Sequence, residues 1–290
     1  MVCDAKLIPA VQGKTRVVCI IGDPIRHSLS PVMQNAAFAA GHLDYVYVPF
    51  AVTPDNLGPA VAGLKALGVC GFNVTIPHKT AIIPFLDRLD ESAEAAGAVN
   101  TVQLVGDLLI GYNTDGDGLV DSLRTDLGFS PGEQQILVAG AGGAARGALA
   151  ALCRAGAKRI LLYNRSIENA LAVKHEMNIR YPETYIEIVR QDRVNREDLS
   201  VTCLLLNTTS LGMNGERIEG INLSELAADA KIYDMVYSCA GTALVKEASA
   251  LGLQAVNGLG MLVAQGERAF EIWTGQRPLK GVMRCALNLI

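Results

Sequence analysis

Residues 135–152 constrain this chain more than any other stretch. The apolar run Gln135-Ile136-Leu137-Val138-Ala139 leads into Gly140-Ala141-Gly142-Gly143-Ala144-Ala145, and then into the alanine-rich Arg146-Gly147-Ala148-Leu149-Ala150-Ala151-Leu152. That order reads as strand, tight turn, helix, with the spacing G-x-G-x-x-A. Gly140 makes the turn. Gly142 lets a pyrophosphate approach the backbone, and Ala145 lets helix and strand pack closely. The first N–H groups of the helix, with its dipole, favour an anion. A dinucleotide over Gly140, Ala141, Gly142, Gly143 and Ala144 is the expectation. The competing reading is a glycine turn that binds nothing.

At 290 residues the chain has room for two domains. Half of it is hydrophobic and only 19% is charged, with a mean hydropathy of +0.27, so it can bury a sizeable core. A net charge of −4 and a pI near 5.6 give no reason to expect nucleic-acid or membrane-surface binding. No apolar run approaches the ~20 residues that span a bilayer, and the N-terminus lacks the charged and apolar regions of a signal peptide. The apolar excess therefore points to parallel strands buried on both faces. Cys3, Cys19, Cys70, Cys153, Cys203, Cys239 and Cys285 include no C-x-x-C pair and no Cys/His cluster. They read as buried reduced thiols in a cytoplasmic protein without a metal site.

Val17–Gly22 reads as a first buried strand. The loop Asp23-Pro24-Ile25-Arg26-His27-Ser28-Leu29-Ser30-Pro31 follows it. Loops at the carboxyl ends of strands carry ligand groups in α/β sheets, so Ser28 and Ser30 are candidates for a small polar substrate. Ser30 reads equally as the N-cap of the next helix, with Pro31 at its first position. Gly71-Phe72-Asn73-Val74-Thr75-Ile76-Pro77-His78-Lys79 is a strand ending in a polar loop. Lys79 there could exchange a proton, or be an ordinary surface lysine. His78 reads as a packing residue rather than a base. Asn113-Thr114-Asp115-Gly116-Asp117-Gly118 reads as a loop that supplies Asp115 as a partner for Lys79, with Asp117 as the competing carboxylate.

The strand Arg159–Tyr163 ends in Asn164-Arg165-Ser166. This is where a dinucleotide fold reads the ribose 2′ position. Arginine there favours a 2′-phosphate, so Asn164 and Arg165 point to NADP. Gln265 falls in the second turn of a helix opened by Gly258-Leu259-Gly260-Met261. Met261, Phe270 and Trp273 read as core.

Taken together, Pro24–Pro31, Asn73–Lys79, Gly97-Ala98-Val99-Asn100-Thr101, Asn113–Gly116, Gly140–Ala145, Asn164-Arg165 and Gly258–Gln265 resemble, in order, the motifs of the shikimate dehydrogenases. The resemblance spans about residues 17–275. It implies an α/β architecture of two domains: a substrate domain (1–115 plus 258–290) with a mainly parallel sheet, and a Rossmann-like NAD(P)-binding domain (116–257), with the C-terminal helices returning to the first. It implies reversible hydride transfer between NADPH and 3-dehydroshikimate, by a monomer or homodimer. Lys79 and Asp115 fall on the catalytic pair. Ser28, Ser30, Asn73, Thr75, Asn100, Tyr237 and Gln265 fall on substrate positions. Thr208, Gly258 and Met261 join the candidate cofactor set.

Three departures stand out. Ser238-Cys239 replace the usual Asn-Pro after Tyr237. Asn169 stands where NADP-specific members carry a second arginine. Arg26 and Gln265-Gly266 look more like the quinate/shikimate branch, which often uses NAD. The rival expectations are thus a quinate/shikimate dehydrogenase using NAD or both cofactors, and a regulator that binds the metabolite without turnover. The two domains are expected to enclose a cleft with hinge closure.

Overall fold

The computed structural model describes residues 11–190, 194–211, 216–238 and 241–289. It divides into two compact units, residues 1–118 with 262–290, and residues 119–261.

The first unit is built on β1 (Arg16–Gly22), α1 (Ser30–Ala40), β2 (Tyr45–Ala51), α2 (Leu57–Ala66), β3 (Gly71–Val74), β4 (Arg88–Leu89), α3 (Glu91–Ala96), β5 (Thr101–Val105), β6 (Leu108–Tyr112) and the start of α4 (Asp115–Leu127). Its sheet runs β2-β1-β3-β5-β6-β4. β2, β1 and β3 are parallel, β5 is antiparallel to both β3 and β6, and β4 pairs parallel with β6. Both faces of β1 are covered, which explains its unbroken apolar sequence. Cys19 and Ile21 pack on one side with Leu57, Val61 and Phe72. Val18 and Ile20 pack on the other with Phe38, Phe270 and Trp273.

The second unit contains β7 (Gln135–Ala139), α5 (Gly143–Arg154), β8 (Arg159–Tyr163), α6 (Ile167–Arg180), β9 (Tyr185–Val189), α7 (Arg196–Ser200), β10 (Thr202–Asn207), β11 (Lys231–Asp234), α8 (Ala243–Ala250) and β12 (Gln254–Asn257). Its six strands run β9-β8-β7-β10-β11-β12, every pairing parallel. The chain starts in the middle at β7, winds outward to β9, then returns beside β7 to wind the other way. The order therefore reverses between β7 and β10, the place where doubly wound sheets bind ligands. Alternation along the strands assigns the two faces. Ile136, Val138, Ile160, Leu162, Leu204 and Leu206 enter one core, whereas Leu137, Ala139, Leu161, Tyr163 and Leu205 enter the other.

α9 (Leu259–Thr274) and α10 (Val282–Ala286) complete the chain. Trp273 near the end of α9 is 4% exposed, and its indole N–H donates to Val102 O at 2.9 Å. It is core, as its sequence suggested. Cys19, Cys70, Cys153 and Cys203 are free thiols, and burial pushes Cys19 up to about 12. Cys285 is disulfide-bonded, which corrects the expectation of reduced thiols throughout. Cys3 and Cys239 lie outside the described residues.

α3 carries a cap that matters downstream. The Asp90 carboxylate accepts from Ser92 N at 2.9 Å and from its hydroxyl at 2.6 Å, and the same hydroxyl accepts from Asn113 N at 3.1 Å. Asp90→Ala should cost about 1 kcal/mol, the usual worth of an N-cap. Urea denaturation measures it as a lower midpoint at unchanged slope.

Candidate active site

In the first unit two of the polar residues singled out from the sequence, Lys79 and Asn100, bond directly to the carboxylate of a third, Asp115. The end of β3 delivers Asn73, the loop behind it Lys79, the segment before β5 Asn100, and the first turn of α4 Asp115. The glycine-rich stretch at 113–118 is thus not a loop throughout. Asp115 opens a helix, its N–H accepted by Asn113 Oδ1 at 3.0 Å. Lys79 Nζ lies 2.6 Å from Asp115 Oδ2, with the two side chains 34% and 24% exposed. Asn100 Nδ2 donates to Asp115 Oδ1 at 2.8 Å. The Lys79 carbonyl accepts from Val99 N at 2.7 Å, which fixes its backbone to the segment carrying Asn100. A partly exposed ammonium gripped by an oriented carboxylate can deliver a proton to a substrate oxygen, and the pair that has lost it can take one back.

Asn73 and Asn100 are 5% and 3% exposed. Gln265 on α9 is 8% exposed; its Nε2 donates back to Leu262 O at 2.7 Å, and its carbonyl accepts from the Thr114 hydroxyl at 3.1 Å. Ser28 accepts from Ser30 N at 3.3 Å. Ser30 does not cap α1: Leu29 holds that position without a side-chain bond, and Ser30 is already helical, followed by Pro31. Its hydroxyl instead meets the buried Tyr47 phenol. Thr75 is half-buried just past β3. His78 is 1% exposed, with its ring nitrogen 2.6 Å from Val52 O, so it is a packing residue bonded to the backbone.

In the second unit the glycine turn sits at the carboxyl end of β7. Gly140 has φ +114°, a conformation that side chains rarely adopt, and a Cβ there would strike the Thr208 hydroxyl. Thr208 in turn donates to Ala139 O at 2.7 Å. Gly142 is different: its φ of −89° suits any residue, and a Cβ there, or on Gly143, would meet nothing within 4 Å. The space over these two backbones, at the N-terminus of α5, fits a pyrophosphate. Ala141 is 7% exposed, Ala144 is exposed, and Ala145 is fully buried at the helix–strand contact. A cavity of about 650 Å³ extends from Gly140 past Tyr163, Asn164 and Arg165 to Thr209 and Leu211. Its size and position suit an adenosine moiety.

Tyr237 lies past β11 and is 44% exposed. Gly258 backs directly onto the Met235 carbonyl, and Met261 packs against the core under β7 and β10, as its sequence suggested.

Other functional candidates escaped the sequence reading. Tyr47 is buried inside a strand and carried no motif signal, and Thr101, the last residue of the Gly97–Thr101 motif and equally buried, was assigned no role. Asp234, fully buried at the end of β11, accepts from Asn207 Nδ2 at 2.8 Å and Val236 N at 3.1 Å, and burial pushes its carboxyl up. Asn207 also holds Thr209 and Leu211, so this pair shapes the loop lining the cavity. Glu168 sits on the first turn of α6. Its own N–H and the Ser166 hydroxyl, which donates at 2.9 Å, hold it below the usual carboxylate range. Glu168 thus places an acid in the first turn of α6, three residues along the chain from Arg165. Asn164 Nδ2 is spent on Ser166 O at 2.8 Å, which leaves Arg165 as the exposed cation of that turn.

Comparison with known proteins is consistent with this geometry. Residues 20–102 match the shikimate dehydrogenase substrate binding domain, and residues 258–287 match the shikimate 5'-dehydrogenase C-terminal domain. A shikimate dehydrogenase (NADP(+)) of Geobacter metallireducens is 52% identical over 94% of this chain and 96% of its own. A shikimate dehydrogenase crystallised with NADP+ superimposes with a TM-score of 0.87 at 38% identity, covering 96% of each chain. The Listeria monocytogenes shikimate 5-dehydrogenase, crystallised with shikimate and NAD, gives a TM-score of 0.87 at 34% identity, covering 97% of this chain and 99% of that one. The chain belongs to the shikimate dehydrogenase family.

Proposed function

We propose that this chain catalyses the reversible NADPH-dependent reduction of 3-dehydroshikimate to shikimate, a step towards chorismate and the aromatic amino acids. The observation that carries the reading is the Lys79–Asp115 pair at 2.6 Å, set among polar groups in a chain half identical to a shikimate dehydrogenase. The nicotinamide supplies the hydride when bound. Lys79, as an ammonium, stabilises the negative charge growing on the ketone oxygen and gives it a proton. Asp115 holds the amine at that oxygen. In the oxidation direction the pair takes the hydroxyl proton. Ser28, Ser30, Thr75, Gln265 and Tyr237 recognise the carboxylate and ring hydroxyls, with Asn73 and Asn100 as the polar floor. Gly140–Ala144, Asn164, Arg165, Thr208, Gly258 and Met261 form the cofactor side. The enzyme works in the cytoplasm, as a monomer or homodimer.

A specific observation favours a second reading of the cofactor. Glu168 occupies the N-terminus of α6, and Asn169 replaces the second arginine. A 2′-phosphate therefore meets one cation and one anion, so NAD competes more evenly than in a site with two arginines. Arg165→Ala should lower kcat/KM for NADP about tenfold while leaving that for NAD within about threefold. Glu168→Gln should raise the NADP-to-NAD ratio about two- to fivefold, the scale of one exposed charge at a helix terminus. Initial rates with shikimate and quinate, each against NADP and NAD, test the whole reading. Shikimate with NADP should give the highest kcat/KM, and a higher value for quinate with NAD would replace it with the quinate branch.

A further inference from the structure

The Lys79–Asp115 pair is the end of a longer chain of hydrogen bonds that begins in the hydrophobic core. The Tyr47 hydroxyl donates to Asn73 Oδ1 at 2.7 Å. Asn73 Nδ2 donates to the Thr101 hydroxyl at 3.0 Å. Thr101 Oγ1 donates to Asn100 Oδ1 at 3.0 Å, and Asn100 Nδ2 donates to Asp115 Oδ1 at 2.8 Å. All four residues before Asp115 are at most 5% exposed.

The direction of every bond is forced. Asn73 Nδ2 also faces the Asn100 carbonyl at 3.0 Å, which can only accept, so Asn73 must turn its oxygen to Tyr47. Asn100 Oδ1 also faces Thr114 N at 2.9 Å, which can only donate, so Asn100 must turn its amide to Asp115. Thr101 lies between an amide donor and a carbonyl acceptor. Its hydroxyl must therefore accept from the first and donate to the second. Both Asn100 amide hydrogens are spent, on Thr114 Oγ1 at 2.9 Å and on Asp115, and both of its oxygen lone pairs are taken. Buried chains of this kind strengthen bond by bond and hold their last member tightly.

We infer that Tyr47 and Thr101 are positioning residues for this reaction: through Asn73 and Asn100 they fix the Asp115 carboxylate, and so the Lys79 amine, at the reacting oxygen. The inference rests on the catalytic reading of Lys79. Neither residue reaches the reacting atoms. Tyr47 is buried against Trp273, with ring centroids 6.0 Å apart, and its phenol is held well above its ordinary range by burial, so it stays a donor. Thr101 has no exposed surface.

The test compares Tyr47→Phe, Thr101→Val and Thr101→Ser in the full-length enzyme, with NADPH and 3-dehydroshikimate. Val has nearly the shape of Thr but cannot accept or donate, whereas Ser keeps the hydroxyl. Tyr47→Phe and Thr101→Val should each lower kcat about tenfold, with KM for NADPH and the circular dichroism spectrum unchanged, and Thr101→Ser should stay within about twofold of the parent. If both disruptive variants keep parental kcat while Lys79→Ala is inactive, the positioning role is wrong. If Thr101→Ser falls as far as Thr101→Val, packing and not the hydroxyl is responsible, and the inference is equally overturned. If Lys79→Ala keeps turnover, the catalytic reading itself fails. Should the variants not fold, nuclear magnetic resonance of the parent decides. The inference requires slowly exchanging Tyr47 and Thr101 hydroxyl protons, and rapid exchange of both contradicts it.

Discussion

Lys79→Ala lowers kcat about 100-fold or more, with KM for both substrates changed only modestly and folding intact. The size is that of a lost general acid–base group. The ammonium lies 2.6 Å from Asp115, and in the proposed function it is the proton donor to the substrate oxygen. The fold does not depend on it: its side chain is 34% exposed, and its contribution to the local backbone is a carbonyl accepting from Val99, which alanine keeps. Asp115 retains its bond from Asn100 in the variant, so the carboxylate stays in place and the loss reports the amine. Stopped-flow and steady-state absorbance of NADPH measure it, and turnover within a few-fold of the parent would remove Lys79 from the mechanism.

The second large effect is expected at Gly142→Val, where protein and cofactor should part company. The backbone of Gly142 is extended and a Cβ there meets no protein atom within 4 Å, so the apoprotein should melt at the parental temperature. The new methyl groups would instead fill the space over the α5 N-terminus that the proposed function assigns to the pyrophosphate. NADPH affinity, followed by its fluorescence, should weaken about 100-fold, because the phosphates lose both room and backbone donors. Shikimate binding should be unchanged. Gly140→Ala serves as the contrast: there the side chain collides with Thr208 and the left-handed backbone resists it, so stability should fall as well. A turn that binds nothing would leave NADPH affinity untouched in Gly142→Val.

What the sequence made legible follows from how local each signal is. The strand–turn–helix at 135–152 announces itself because glycine spacing and apolar runs act over a few residues. The pairing of Lys79 with Asp115 was visible only as a possibility of residue types, since 36 residues separate them. Asp115 in a helix was not visible at all. Two glycines and polar neighbours read as loop, yet Asn113 caps the turn and α4 carries on through them. The hairpin β5–β6 and the edge strands β9 and β12 left little trace, being short and partly exposed. Tyr47 looks like an ordinary strand residue and Thr101 like the tail of a motif with no role of its own, because an oriented chain of bonds between β2, β3 and β5 exists only once the sheet has formed. Glu168 reads as an ordinary helix residue for a similar reason: its bond from the Ser166 hydroxyl exists only once the start of α6 has formed.

The central claim is that this chain transfers a hydride from NADPH to a shikimate-type ketone with Lys79 supplying the proton. NADPH carrying deuterium at the transferable nicotinamide position, incubated with 3-dehydroshikimate and the parent enzyme, tests it directly by mass spectrometry of the product. The account predicts shikimate bearing one deuterium on its new carbinol carbon, formed at least about 100-fold more slowly by Lys79→Ala. Tight binding of 3-dehydroshikimate with no labelled shikimate would contradict it, and would make the chain a metabolite-binding protein rather than an enzyme.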